Sequence, residues 1–175
     1  VALGPAVIAA QQAGLLVNGG GHNMAAGFTV EQEKLEELTD FLSSHISRQL
    51  DGLVLIPSMS FDGALSPAGA TPEVIEMLER AGPFGSGNPR PRFAIPQARI
   101  VDSSIVGKDH VRCILTGADG TGRLKAIAFR SAGSPLGNAL MDTRGLPLHV
   151  AGNLRVDEWQ GRVSAQLFID DVATA

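Results

Sequence analysis

An α/β domain followed by an all-β OB-fold is the architecture this sequence predicts, and three observations predict it. Between residues 29 and 50 leucines and an isoleucine recur at helical spacing, residues 82–91 hold three glycines and three prolines, and the chain beyond that break runs in short alternating apolar and polar segments. The expected division is a first domain over 1–81, a Gly/Pro hinge over 82–91 and a small barrel over 92–175. With 44% hydrophobic and 18% charged residues in 175, the chain has apolar material for two small cores and too little charge for a disordered polymer.

Gly4 to Ala13 reads as a short helix, and the apolar run Leu15-Leu16-Val17 then enters a glycine-rich loop of three consecutive glycines. Thr29 and Gln32 have the spacing of a capping box, and Leu35, Leu38, Leu42, Ile46 and Leu50 carry a helix onward until Gly52. Its acidic residues Glu31, Glu33, Glu36, Glu37 and Asp40 form a solvent face. Leu53-Val54-Leu55-Ile56 and the stretch from Met59 to Leu65 read as extended. Thr71 before Pro72 is an N-cap followed by proline at the first helical position, opening a helix through Val74, Ile75 and Leu78 that stops at Gly82.

Neither a helix nor a central strand passes through the glycines and prolines of 82–91. After them, strands are expected over 93–106, 110–117, 123–130, 147–156 and 162–170, with hairpin turns at Gly117-Ala118-Asp119-Gly120 and Asp157-Glu158-Trp159-Gln160-Gly161. A short segment around 134–140 separates the third strand from the fourth. Five strands with an insert at that point match the OB-fold, a barrel widely used for single-stranded nucleic acid.

The net charge of −4 argues by itself against a nucleic-acid partner, but the charge is unevenly spread. Residues 1–79 carry two basic against ten acidic side chains, net −8, whereas 80–175 carry twelve against eight, net +4. The second part is the one expected to meet a polyanion, chance asymmetry of a solvated surface being the alternative. No window approaches the roughly 18–20 apolar residues of a membrane span, and no signal peptide opens the chain, so a soluble, cytoplasmic protein without membrane contact is expected. The start at Val1, without methionine, reads as that of a cut piece. Cys113, the single cysteine, lies in an apolar strand-like run and is expected to pack as a small hydrophobe.

The sharpest chemical feature is Gly19-Gly20-Gly21-His22. Bare backbone can approach a ligand closely and offer N–H groups to phosphate oxygens, and the His22 ring adds a donor. The alternative is a tight turn into a buried strand, with His22 simply hydrogen-bonded. His22, His45, His110 and His149 show no close spacing with carboxylates, and no Asp-His-His triplet occurs. No metal ligand set and no catalytic residue are therefore expected within this chain.

The whole run from Gly14 to Phe28, centred on Gly-Gly-Gly-His, resembles the glycine-histidine motif of the DHH-associated domain, which follows the catalytic domain in the DHH phosphoesterase superfamily. Pro83-Phe84-Gly85-Ser86-Gly87-Asn88-Pro89-Arg90-Pro91-Arg92-Phe93 is similar to the segment that in RecJ exonucleases leads into an OB-fold. Two motifs in the family's order identify the chain as resembling the C-terminal part of a bacterial RecJ-like exonuclease. That resemblance implies a parent enzyme degrading single-stranded DNA from its 5′ end, in DNA repair and recombination, with manganese or magnesium held by a DHH domain that this chain lacks. Gly19, Gly20, Gly21 and His22 would inherit contact with the substrate, and single-strand-binding protein is an implied partner alongside single-stranded DNA.

In the barrel, alternation puts Arg112 with Ile114 on one face, and Arg123, Lys125, Ile127 and Phe129 on one face of the next strand. Cations there would take phosphates, and Phe129 or Trp159 would stack on bases. Phe129 has the core as its alternative place, and Trp159 the barrel end. Two further readings stand beside the exonuclease: a piece of another DHH-superfamily phosphoesterase acting on short oligonucleotides, and a non-catalytic module binding single-stranded DNA or protein.

Overall fold

A computed structural model describes residues 1–53, 58–142 and 146–175. Its contacts divide the chain into two compact units, Val1–Ser58 and Met59–Ala175.

In the first unit, helix α1 (Leu3–Gln12) buries Gly4, Ala6, Val7 and Ala10, residues small enough to bring its backbone close to whatever it covers. It covers a two-stranded antiparallel hairpin, β1 (Asn18–His22) and β2 (Ala25–Thr29). A Cβ at Gly4 would stand 2.8 Å from the Gly21 carbonyl oxygen, so helix and strand meet backbone to backbone. Helix α2 (Leu35–Gln49) adds Leu38, completing a core with Val7, Ala10, Leu15 and Leu16. At about 1.5–3 kcal/mol for each large apolar side chain taken out of water, this core is small.

The sequence expectation is corrected at two points here. The glycine run is a strand of a hairpin instead of a loop. The capping box of Thr29 and Gln32 does not form, because Thr29 ends β2, where its carbonyl accepts the Val17 N–H at 2.9 Å. A short 3-10 turn, Gln32–Lys34, intervenes before α2 begins. The expected acidic face is exposed throughout.

The second unit holds β3 (Gly63–Ala64), α3 (Pro72–Glu79), β4 (Phe93–Val106), β5 (His110–Thr116), β6 (Leu124–Ala128), α4 (Pro135–Met141), β7 (Leu148–Trp159) and β8 (Arg162–Thr174). Thr71 caps α3, accepting the Val74 N–H at 3.4 Å, and Ser134 caps α4 through the Gly137 N–H at 3.1 Å. Hydrogen-bonded neighbours run β3-β4-β5-β6-β8-β7, and β4 pairs with β7 as well. All pairs are antiparallel except β3–β4 and β6–β8. Alternation sends Val111, Cys113, Leu115, Leu124, Ala126, Leu154 and Leu167 inward, where Ile75 of α3 and Leu140 of α4 join them.

Five of these strands lie where the sequence places them. The turn after β7 is narrower than expected: Asp157, Glu158 and Trp159 remain in the strand, and only Gln160 and Gly161 turn, at φ of 50° and 73°, as two-residue hairpin loops require. Of the extended stretch from Met59 to Leu65 only Gly63 and Ala64 pair, and 54–57 of the other lie outside the described residues.

The division of the chain also differs from the expected one. Residues 59–81 group with the strands because Ile75 is buried in their core. The Gly/Pro segment is folded onto the same unit: Asn153 Nδ2 donates to the carbonyls of Arg90 and Pro91, at 3.2 and 2.8 Å, and Asn88 Nδ2 donates to those of Ala81 and Pro83. The charge contrast shrinks with this boundary. Residues 1–58 carry two basic and six acidic side chains, net −4, while 59–175 carry twelve of each. Attraction for a polyanion must therefore arise from local placement of charge.

Cys113 is fully buried, and that burial, with a smaller contribution from the Asp102 charge, pushes its thiol up to about 12. A thiol so placed is expected to resist iodoacetamide at pH 8 in the native protein and to react once urea unfolds it. Because the folded value is raised, the contribution to stability is full below the unfolded thiol's value and is lost as pH rises toward the folded one. Rapid labelling of native protein would show that the β5–β6 face opens.

Candidate nucleic-acid interface

Two of the three consecutive glycines are accounted for by packing. A Cβ at Gly19 would stand 2.8 Å from Val7 Cγ1 and 3.0 Å from Leu16 Cδ1, and one at Gly21 would stand 2.4 Å from the Ala25 carbonyl oxygen. Gly20 differs. Neither it nor Gly27, its partner across the ribbon, has any atom within 4 Å of an added Cβ. Glycine in a strand interior loses packing and costs entropy, so two facing glycines on an open side mark a place left bare for close approach. Asn18, Gly19, Gly20, Gly27, Phe28 and Thr29 line a shallow concavity of about 420 Å³ there.

Gly21 and His22 lie beyond that concavity, toward the hairpin turn. His22 is exposed, and its Nδ1 accepts the Met24 N–H at 3.4 Å. With Nδ1 accepting, Nε2 is the ring nitrogen left to donate.

On the second unit the outward face of β5, β6 and β8 is set by register. Arg112 pairs with Ile127, Ile114 with Lys125, Lys125 with Gln166 and Ile127 with Phe168. Phe129, 49% exposed, points outward and not into the core. It meets His110 edge-on at 5.1 Å and Phe168 at 5.0 Å. The cations of this face are unequal. Lys125 is paired with Asp157 at 2.8 Å, and Arg112 donates to Ser104 and stands 3.9 Å from Asp102, whereas Arg123 has no carboxylate partner among the described residues. Arg123 and Lys125 line a concavity of about 670 Å³ with Ile114, Ser164 and the 67–72 segment. Trp159, 68% exposed, stands at the end of β7 opposite Arg162.

The profile of the RecJ OB domain family matches residues 61–171, most of the second unit. The chain belongs to the RecJ family. The single-stranded-DNA-specific exonuclease RecJ of Escherichia coli (strain K12) is 31% identical over 160 residues, which are 91% of this chain and 27% of that protein. The RecJ of Bacillus subtilis (strain 168) is 26% identical over 161 residues, 92% of this chain and 20% of its own length. The chain thus spans about a quarter of the curated relatives it matches. Its fold is similar to that of RecJ from Thermus thermophilus crystallised with Mn2+, with a TM-score of 0.66 at 23% identity, over 97% of this chain and 24% of that one.

Among the described residues no group of three or more His, Cys, Asp or Glu side chains is placed to hold an ion. Among the described residues no helix is long and apolar enough to cross a membrane.

Sequence reasoning missed Phe168 and Arg155. Arg155 lies 5.8 Å over the Phe168 ring, and its Nε is buried without a hydrogen-bond partner among the described residues. The only linear signal was alternation along β8, which places Phe168 outward with Gln166 and Ser164.

Proposed function

We propose that this chain is the strand-gripping part of a metal-dependent 5′→3′ single-stranded-DNA exonuclease acting in repair and recombination in the bacterial cytoplasm, its chemistry lying in a DHH domain elsewhere in the parent. The observation that carries the reading is the outward face of the RecJ OB domain match, where Arg123 has no carboxylate partner among the described residues and Phe129 is half exposed beside a second ring. Cationic grooves with stacking platforms are how such barrels hold single strands. The return of the strand pairings to β4 supports a barrel, and the bare Gly20 and Gly27 support a DHH-associated identity for the first unit, with Gly19, Gly20, Gly21 and His22 toward the substrate. Single-strand-binding protein is a further partner on this reading.

The test is fluorescence anisotropy of a labelled oligonucleotide at two salt concentrations, paired with a gel for degradation products. The 175-residue chain is expected to bind weakly, to lose affinity steeply with salt as counterions are re-bound, and to release no nucleotides with or without manganese. Salt-insensitive binding would favour the protein-binding module. Release of mononucleotides abolished by chelator would overturn the assignment of the chemistry elsewhere.

A further inference from the structure

We propose that Arg155, Phe168 and Phe129 form a nucleotide-binding step on the outward side of β7, β8 and β6, with a DNA phosphate on Arg155 and bases on the two rings, continuing into the turn formed by residues 84–90. The inference rests on the single-strand-binding reading above and gives it residues and a direction. That direction departs from the β5–β6 cations, because Arg112 and Lys125 already have carboxylates opposite them.

Arg155 is the starting point. A guanidinium N–H buried without an acceptor is disfavoured in a folded protein unless a ligand or water completes it, and Arg155 Nε is in that condition. The Glu79 carboxylate that its charge reaches is engaged: Glu79 takes both Nη atoms of Arg90, and its carboxyl is held below the usual range first by that hydrogen bond and less by the charges of Arg90 and Arg155. Arg155 acts on that carboxylate through its charge alone, and its buried Nε–H is a donor without an acceptor among the described residues. Arginine presents these as a planar fork suited to a phosphate.

The surroundings are built for an extended ligand. Phe168 lies beneath the Arg155 guanidinium on one side and meets Phe129 at 5.0 Å on the other, making a row of two rings and one cation. On the other flank Arg155 lines a concavity of about 280 Å³ with Phe84, Gly85, Pro89 and Arg90. Nothing lies within 4 Å of a Cβ built on Gly85, so that wall is open. The wall is also fixed, since Arg90 stacks 4.6 Å over Phe84 and Asn88 and Asn153 hold the turn's carbonyls.

The experiment uses the full chain and a labelled oligothymidylate of about 12 nucleotides. Arg155→Gln is expected to lower affinity roughly tenfold and to flatten the slope of log affinity against log salt by about 0.7, the signature of one lost phosphate contact on a single strand. Phe168→Leu, which keeps the apolar bulk and removes the ring, is expected to lower affinity roughly tenfold with the slope unchanged. A second measurement needs no variant: photo-crosslinking of a 5-iodouracil oligonucleotide to the wild-type chain is expected to place adducts on Phe129 or Phe168. Steep, salt-dependent binding by the wild type with both variants unaffected and adducts on Trp159 alone would overturn this step and leave the single-strand reading standing. No binding by the wild type would remove both. Preference for an acidic peptide over the oligonucleotide, lost in Arg155→Gln, would reassign the site to a protein partner and overturn the proposal.

Discussion

Gly152→Ala is expected to destabilise the second unit by at least about 3 kcal/mol, enough to lower its melting temperature on the order of 10 °C. Gly152 sits where the β7–β8 register slips, between Ala151 opposite Asp171 and itself opposite Ile169. Asp170 is the extra residue of this bulge and is tied to Arg92 at 2.8 Å. A Cβ at Gly152 would stand 2.0 Å from the Phe168 carbonyl oxygen, 2.8 Å from its carbon and 3.1 Å from Ile169 Cα. All three are backbone atoms, so no side chain can turn away, and relief requires the longest hairpin of the fold to separate at its centre. Thermal denaturation followed by circular dichroism measures the effect, with the transition of the first unit analysed separately because two units need not melt together. An unchanged transition would mean that the strands do not approach as described.

In the longer parent protein, His22→Ala is expected to cut turnover at saturating single-stranded DNA about 100-fold while changing affinity only severalfold. With Nδ1 occupied by the Met24 N–H, Nε2 is the ring nitrogen left to donate, and a donor aimed at a phosphate acts most strongly where charge develops. Removal of one such donor costs about 10²–10³ in turnover where this role has been measured. Gly20→Val is the companion variant. A Cβ at this position meets no described atom within 4 Å, so the unit should fold as before, yet the bare face is filled and strand affinity should fall. Single-turnover kinetics and anisotropy separate the two effects. Weakened binding by His22→Ala with unchanged saturated turnover would remove the catalytic-step role, and unchanged affinity in Gly20→Val would return the glycines to a purely structural part.

The strands of the second unit were legible because period-two alternation and glycine turns are local signals, and β4 runs over the predicted 93–106. What failed depends on contacts distant in sequence. The glycine run reads as a loop until α1 is laid against it, for only then does the crowding at Gly19 and Gly21 separate from the open space at Gly20. The domain boundary was misplaced because the side chains that bury Ile75 come from strands read later in the chain. Of the candidate interface, alternation grouped the cations with Phe129 on one face but left Phe129 between surface and core. The cations' carboxylate partners were not legible, because Lys125 meets Asp157 across 32 residues. Arg155 and Phe168 become neighbours only through the β7–β8 pairing and meet Phe129 only through the parallel β6–β8 pairing.

The pairing of β4 with β7 bears on how the second unit assembles. β7 and β8 join through a two-residue turn over twelve paired positions, a local ribbon that forms with little loop closure. β4 meets β7 across 50 or more residues through four pairs, with a register shift between Ile95 and Ala98 and Gln97 at φ of 52°. Contacts that are few, irregular and distant in sequence are the last to be gained during folding and the first to be released. Hydrogen exchange at Ile95 and Val150 should therefore outpace exchange along the centre of the β7–β8 ribbon, making this seam the line along which the unit first opens.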